Sequence, residues 1–122
     1  MRRLRMGALL LLASCAAPAA TVPPASRQAV TQIEIEYVGR FLGPATAYSL
    51  LPRCPRRASA ACSDPATVAA LSDARKRLHD TIIALRNFSD AAPEADATVL
   101  IARARRELAA GEALIPAKSR MP

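Results

Sequence analysis

The sequence predicts a small all-α domain, built as a three-helix hairpin or bundle. Three segments carry apolar residues at alternating spacings of three and four, which is the period of one face of an α-helix. The connections between these segments are short, and short connections favour antiparallel neighbours. Only one segment has the alternation of a strand, and a single strand would have nothing to pair with. We expect the domain to span residues 27–115 of the 122-residue chain.

The amino-terminal residues have the layout of an export signal. Three arginines precede a short apolar stretch from Met6 to Ala13, and small residues follow it. This stretch is too short to cross a bilayer, because a transmembrane helix needs about 20 residues. We therefore expect residues 1–14 to be a signal peptide. Arg2-Arg3 also fits a twin-arginine signal, although a basic segment needs no such motif.

Leu12-Ala13-Ser14-Cys15 resembles the lipobox of bacterial lipoproteins, in which a leucine and two small residues precede a cysteine that becomes the lipidated first residue. The resemblance implies that Cys15 carries acyl chains, and two or more chains hold a protein firmly on a membrane. Ala16 is not the aspartate that resembles an inner-membrane retention signal. The expected location is therefore the outer membrane, facing the periplasm. Cleavage after Ala17-Pro18-Ala19 is the alternative, and it would release a soluble protein.

The cysteine count supports the same interpretation. Three cysteines are an odd number, and an odd cysteine in an exported protein requires an explanation. Lipidation of Cys15 would leave Cys54 and Cys62, which an oxidising compartment would join in a disulfide. A metal site is the alternative, but the only histidine, His79, lies far along the chain. We expect a disulfide and neither a metal nor another cofactor.

The composition predicts a weakly basic domain with a thin core. Of the 17 basic residues, Arg2, Arg3 and Arg5 lie in the expected signal peptide, so its removal lowers the formal net charge from +7 to +4. The chain has no tryptophan and only two phenylalanines and two tyrosines. Small scaffolds of this kind usually need a covalent staple or a partner.

The first helix should follow a tether, residues 15–26, whose alanine and proline content favours extended conformations. Its apolar face consists of Val30, Ile33, Tyr37, Phe41, Ala45 and Tyr48. Gly43-Pro44 should kink or break this helix, because proline removes a backbone donor and its ring clashes with the preceding turn. Residues 31–38 also alternate with the period of a strand, so the sequence favours the helix but leaves the strand open.

A connecting loop and a second helix are expected next. Leu51 to Ser63 is punctuated by two prolines and contains both remaining cysteines. Ser63 or Asp64 should cap the following helix, with Pro65 at its first position. The apolar face of this helix consists of Val68, Leu71, Ala74, Leu78, Ile82 and Leu85.

The third helix is predicted from local signals at both of its ends. Asn87-Phe88-Ser89-Asp90 should end the second helix and offer the next N-cap, with Pro93 in the first turn. Gly111 is a natural C-terminal cap. The apolar stripe consists of Ala97, Leu100, Ile101, Ala104 and Leu108. Residues 112–122 should fray, with 116–122 as a disordered tail.

The layout of Tyr48, Leu51-Pro52-Arg53-Cys54 and Ala61-Cys62-Ser63-Asp64-Pro65 resembles small helical lipoproteins of bacteria and their prophages. The resemblance spans roughly residues 45 to 85. It implies an architecture and carries no information about chemistry.

No group of residues has the pattern of a catalytic site. His79 stands beside charged residues, and no Gly-x-Ser-x-Gly motif accompanies it. Glu34 and Glu36 are two positions apart and diverge on a helix. The four glycines do not cluster into a phosphate-binding loop. We expect no enzymatic activity.

Three basic groups remain, and they are Arg53/Arg56/Arg57, Arg75/Lys76/Arg77 and Arg103/Arg105/Arg106. Nucleic-acid binding is not expected, because no aromatic residues are interleaved for base stacking. Arg53, Arg56 and Arg57, on a constrained loop, are the best presented for anionic headgroups or acidic envelope polymers.

The leading functional hypothesis is a lipid-anchored interaction or structural module of the cell envelope. Its apolar helix face would dock onto a protein partner or onto a second copy of the chain. The alternative hypothesis is a small membrane-active lysis or toxin lipoprotein of the prophage type, which the tether and the positive charge also suit.

Overall fold

The computed structural model describes residues 24–55 and 61–119, which form three packed helical rods. The first rod consists of α1 (Ala25–Glu36), a π-helical turn (Tyr37–Leu42) and α2 (Gly43–Ser49). The second rod is α3 (Pro65–Ala91), and the third is α4 (Thr98–Leu114). A 3₁₀ helix (Ala117–Ser119) follows α4. The predicted all-α three-helix fold is confirmed. Residues 31–38 are helical, so the strand alternative is wrong.

Polar contacts between residues that are distant in sequence show the relative directions of the three rods. Ser89 in the last turns of α3 donates its hydroxyl to Ser26 at the start of α1, and Asp64 before α3 donates its N–H to the Tyr48 hydroxyl of α2. The first rod and α3 are therefore antiparallel. Arg40 pairs with Glu112 near the end of α4, so α4 runs parallel to the first rod.

The core consists of two clusters of buried apolar side chains that lie one above the other. The predicted helix faces supply almost all of them. The first cluster contains Phe41, Ala45, Tyr48, Leu71, Ala74, Leu78, Leu108 and Ile115. The second contains Val30, Ile33, Ile82, Leu85, Ala97 and Ala104. Tyr37, which is half-buried, packs against both clusters and connects them.

The first helix was expected to kink or break at Gly43-Pro44. It does not break there, and the residues just before Gly43 form a π-helical turn instead. Pro44 has no N–H to donate, and its ring would clash with the carbonyl of Arg40 in a regular α-helix. Gly43 donates its N–H to the carbonyl of Val38, five residues back, which is the hydrogen bond of a π-helix. The first rod therefore continues through Pro44 to Ser49.

The boundary between α3 and α4 differs from the predicted one. Asn87–Asp90 does not end the second helix, because α3 continues to Ala91. Ser89 lies inside α3, where it is buried and hydrogen-bonded to Ser26. Ser26 in turn donates its hydroxyl to the carbonyl of Pro93. The hydroxyls of Ser89 and Ser26 are therefore satisfied inside the bundle, although the local sequence predicted a helix end at Ser89.

The start of α4 also lies later than predicted. Pro93 is in the connecting turn, and α4 begins at Thr98. The Asp96 carboxylate accepts hydrogen bonds from the Thr98 N–H at 2.9 Å and from the Thr98 hydroxyl at 2.6 Å. These bonds lower the pKa of Asp96 below its usual value. The N-cap residue of α4 is Ala97, which makes no side-chain capping bond, and the Asp96 carboxylate before it binds the first N–H of the helix, so the predicted N-cap within Asn87–Asp90 is wrong.

Both ends of the domain lie further out than predicted. α1 begins at Ala25, inside the segment predicted as a tether. At the other end Ile115 is 1% exposed and a 3₁₀ helix follows it, so the predicted fraying is wrong for residues 112–119. The predicted signal peptide, Cys15 and the last three residues of the predicted tail lie outside the described residues.

Gly111 lies inside α4 and is not its C-terminal cap. Its backbone has a negative φ, as a regular helix requires. A Cβ atom at this position would lie 3.0 Å from Cδ2 and Cε2 of Phe41 and 3.1 Å from Cδ1 of Leu78. Glycine is therefore present because the first rod approaches α4 too closely for a side chain.

We expect Gly111→Ala to lower the free energy of unfolding by about 1 kcal/mol, although alanine is the better helix former. Phe41 and Leu78 are almost fully buried, so the cost of displacing them to admit a methyl group should outweigh the helix-propensity gain. Gly39→Ala is the matched control, because a Cβ there meets nothing within 4 Å. It should raise stability by about 0.5–1 kcal/mol. Urea denaturation that shows stabilisation by both substitutions would contradict the overpacking.

Candidate functional site

The three rods meet along three seams, and polar side chains cover most of their length. At the start of the first rod, two ion pairs bridge to the end of α3: Arg27 Nε lies 3.6 Å from Asp90 Oδ1, and Arg86 pairs with Glu34. Charged pairs that face solvent therefore cross this half of the seam between the first rod and α3, where they line a depression of about 300 Å³.

The seam between the first rod and α4 is closed by Arg40. Its Nε lies 2.8 Å from Glu112 Oε1 and its Nη2 donates to Glu112 Oε2 at 3.1 Å. Glu36 also approaches Arg40, at 3.7 Å. A two-pronged guanidinium–carboxylate pair of this kind fixes geometry as well as charge.

The seam between α3 and α4 is bridged by a hydrogen bond from the Thr81 hydroxyl to Glu107 Oε2, at 2.6 Å. Burial acts to raise the pKa of Glu107. The hydrogen bonds from Thr81 and Arg103, with the charges of Arg103 and Arg77, outweigh that effect, and the pKa lies below its usual value. Glu107 is therefore an ionised carboxylate that the fold uses to tie two helices together.

In the described residues, no ion pair crosses the remaining half of the seam between the first rod and α3, where the hydrogen bond from the Asp64 N–H to the Tyr48 hydroxyl links α3 to α2. There a groove of about 270 Å³ opens between α2 and the first turns of α3. Its lining is mostly apolar or small and consists of Leu42, Ala45, Thr46, Ser49, Leu50, Val68, Ser72 and Arg75. We call it the open groove. In the described part of the chain, no ion pair crosses it.

A second depression of about 510 Å³ continues the open groove towards the middle of the seam. It shares Leu42 and Arg75 with the groove, and its lining is completed by Tyr37, Lys76, His79 and Asp80. We call it the cationic cleft. Burial raises the pKa of the Tyr37 phenol, while the nearby charge of Arg75 acts in the opposite direction. The phenol is therefore neutral, and Arg75 is close enough for its field to reach it.

Large apolar side chains are exposed beside this surface. Leu50, at the edge of the open groove, is 80% exposed, and Val38, one turn before Leu42, is 56% exposed. Isolated exposed apolar residues are normal on protein surfaces. Leu50 differs because it adjoins a groove that is itself lined by apolar groups, which is the usual character of a binding site.

The disulfide loop holds the two sides of the open groove together. The sulfurs of Cys54 and Cys62 lie at bonding distance, with their Cα atoms 4.8 Å apart, so the predicted pair is confirmed. Cys54 donates its N–H to the Ser63 carbonyl, and Ser63 donates its own N–H to the carbonyl of Pro52. The loop thus ends where α3 begins, and there Asp64 caps α3 by accepting from the Thr67 N–H at 2.9 Å.

Of the three arginines predicted for anionic contact, only Arg53 falls within the described residues. It is exposed and forms an isolated bridge with Ser63. Arg56 and Arg57 lie outside the described residues. The structure instead places Arg75 and Lys76, from the second basic group, at a concave surface.

The described residues provide no constellation that points to catalysis. His79 is exposed, and its Nδ1 lies 3.5 Å from Asp80 Oδ1, an ordinary contact between neighbours in sequence. Among residues 24–55 and 61–119, no cluster of three or more histidine, cysteine or carboxylate side chains could hold a metal ion. The arrangement is suited to binding through apolar area and positive charge.

The open groove was not predicted from the sequence. A signal for it is present, because Val38, Leu42, Thr46 and Leu50 recur every four positions beside the predicted core face. Apolar residues that widen a helix face in this way indicate a second surface. On the other side of the groove, Val68, Ser72 and Arg75 share one face of α3, because they are spaced by three and four residues. Only the packing of the rods shows that this face of α3 meets the face of the first rod.

Within the described ranges, no helix combines the length and the apolar character needed to cross a membrane. Comparison with protein-family models, curated proteins and solved structures found no match to the chain.

Proposed function

We propose that the chain is a non-catalytic binding module of the bacterial cell envelope, which docks a helix of a protein partner into the open groove. The observation that carries this proposal is the contrast between seams. Ion pairs or a hydrogen-bonded carboxylate cross the other seams, whereas no ion pair of the described residues crosses the stretch from Leu42 to Leu50, whose lining is mostly apolar or small and has an 80% exposed leucine at its edge. Water contact along this stretch is costly unless another surface covers it.

A helix is the element that fits between α2 and α3. Two antiparallel helices present a groove whose sides are rows of side chains, and a further helix can pack its own rows into it. Amphipathic helices commonly bind in this way through anchors spaced by three and four residues. The docked helix would complete a four-helix bundle on a domain that otherwise has three.

The docking proposal is tested by photo-crosslinking from two positions of equal exposure. Leu50 is 80% exposed at the groove and Val99 is 78% exposed on α4, so a photoreactive residue at each site samples solvent equally. In intact envelopes, position 50 should form a discrete protein adduct and position 99 should not. Thr46→Glu, which places a charge in the groove, should abolish that adduct.

Three results of this experiment would contradict docking. One is the absence of any adduct from position 50, and another is the same adduct from both positions. The third is an adduct with lipid alone. The last result would favour the membrane-active lysis hypothesis, which release of a periplasmic marker on controlled expression would then check.

We also propose that Cys15 anchors this module to the outer membrane. The proposal is supported by the resemblance of Leu12-Ala13-Ser14-Cys15 to a lipobox and by the cysteine count. The other two cysteines, Cys54 and Cys62, are at bonding distance from each other, and disulfides persist in oxidising compartments such as the periplasm. A lipid-anchored chain would present its open groove to periplasmic partners.

We expect Cys15→Ala to move the protein from the membrane fraction to the soluble fraction, because acyl chains would supply the membrane affinity. Ultracentrifugation of lysed cells measures the partition. Ser14→Ala is the matched control, since alanine is also a small residue and leaves the cysteine in place. Unchanged partitioning of the Cys15→Ala protein would show that the anchor lies elsewhere.

A further inference from the structure

Arg75 and Lys76 are charged groups that the fold itself leaves unused. Within residues 24–55 and 61–119, neither side chain has a carboxylate oxygen within 4.0 Å. The arginines at the bridged ends of the seams, such as Arg27, Arg40 and Arg86, are all paired with carboxylates. Other exposed basic residues, such as Arg106, also lack an ion pair in the described part of the chain, so what distinguishes Arg75 and Lys76 is their position in a concave surface.

These two residues are placed beside the apolar surface. Arg75 lines both the open groove and the cationic cleft, and Lys76 and His79 line the cleft. The carboxylate in the lining is Asp80, so basic groups outnumber it. The combined surface is therefore an apolar strip with positive charge along its α3 side.

Charge complementarity selects the kind of partner. A second copy of the chain is disfavoured, because the chain without the expected signal peptide still carries a formal net charge of +4 and copies repel one another. An enclosed small-molecule site is disfavoured too, because such sites bury most of their ligand and both depressions here lie open along a helix seam. An amphipathic helix with acidic residues flanking its apolar face matches both features of the surface.

We propose that the partner segment is an acidic amphipathic helix, whose apolar face lies in the open groove and whose carboxylates pair with Arg75 and Lys76. This inference rests on the proposed docking function and adds the charge of the partner to it. Arg75, at the point where the groove and the cleft meet, would set the register of the bound helix.

The test uses two synthetic helical peptides of about five turns. Both have the same leucine and alanine face, and glutamates flank that face in one peptide while glutamines replace them in the other. Binding to the oxidised full-length chain is measured by fluorescence anisotropy at low ionic strength. The glutamate peptide should bind roughly five- to tenfold more tightly, because two exposed ion pairs contribute modestly each. Added salt should remove the difference.

Variants of the protein separate charge from apolar docking. The double substitution of Arg75→Glu and Lys76→Glu should abolish or reverse the preference for the glutamate peptide, and both side chains are exposed, so the fold should persist. Arg106→Glu, on the exposed face of α4, is the matched control and should keep the preference. Leu50→Asp should weaken both peptides. Circular dichroism of each variant verifies that it is folded.

Three other results would contradict the proposed acidic partner. If both peptides bind equally and Leu50→Asp weakens both, the docking function would be supported and the acidic character of the partner would be contradicted. Failure of both peptides to bind would count against docking itself, and the inference would fall with it. Anionic lipid vesicles that bind through Arg75 and Lys76, with no distinction between the peptides, would replace a protein partner by a membrane surface.

Discussion

Phe41→Ala is expected to lower the free energy of unfolding by about 3–5 kcal/mol, because it removes the largest of the fully buried side chains. Phe41 is fully buried and contacts Gly111 of α4, and its ring stacks on Tyr37 with centroids 5.9 Å apart. The aromatic-poor composition provides few other large side chains to fill the space. Small domains have about 5–15 kcal/mol of stability in total, so this one ring accounts for a large share of it.

Thermal and urea denaturation followed by circular dichroism measure this loss. A reduction of about 3 kcal/mol in a domain of this size lowers Tm by roughly 12 °C or more. Val38→Ala is the control, because Val38 lies in the same π-helical turn and is 56% exposed, and its effect should stay within about 0.5 kcal/mol. Similar effects of the two substitutions would show that the ring of Phe41 does not organise the core.

Cys54→Ser is expected to lower stability by about 2.6 kcal/mol, because opening a nine-residue loop restores conformational entropy to the unfolded chain. The loss should be seen under oxidising conditions and should disappear when both proteins are compared in reductant. The Cys54→Ser/Cys62→Ser double variant controls for disulfides that the remaining thiol forms between molecules. A difference of equal size with and without reductant would show that the cysteine contributes by packing and not by the bond.

The same disulfide has an expected consequence for binding. Leu50 lies just before the loop and Val68 in the first turns of α3, so the loop joins the two sides of the open groove. Tyr48 adds a second connection by accepting the Asp64 N–H at 2.8 Å. Reduction of the disulfide should therefore weaken the binding of a helix in the open groove. It should affect the ion pair between Arg27 and Asp90 less, because that pair lies at the other end of the bundle.

Local signals predicted the elements of this fold well. The core face of the first rod follows from residues spaced by three and four, and Val30, Ile33 and Phe41 are buried as that spacing requires. The start of α3 follows from Asp64 and Pro65, because a capping carboxylate and a proline act within one turn. These signals involve residues that are neighbours in sequence, so the sequence contains them completely.

The wrong predictions share a different origin. Ser89 was expected near a helix end, but a hydroxyl contributed by Ser26, 63 positions away, satisfies it inside α3. Gly111 was expected to end a helix, but the ring of Phe41 occupies the space that a side chain there would need. In both cases the partner comes from another rod, and no window of neighbouring residues contains it.

The candidate site shows the same division. The sequence named Arg75, Lys76 and Arg77 as one of three basic groups but assigned anionic contact to the disulfide loop, and the cysteine pair was predicted from parity. The open groove was not predicted, since it exists only where the exposed side of α2 meets Val68 and Ser72 of α3. Nor could the sequence indicate which arginines the fold would use in ion pairs and which it would leave available.

By itself the sequence determined three helices, most of their buried faces, the start of α3 with a cap at Ser63 or Asp64, and the pairing of Cys54 with Cys62. Periodicity, capping and cysteine parity are properties of a chain before it packs. Only the tertiary structure decided where α3 ends, why Gly111 has no side chain and where, among the described residues, the three rods meet without an ion pair. Those features depend on the distance between rods, which is set by the side chains that all three place in a common core.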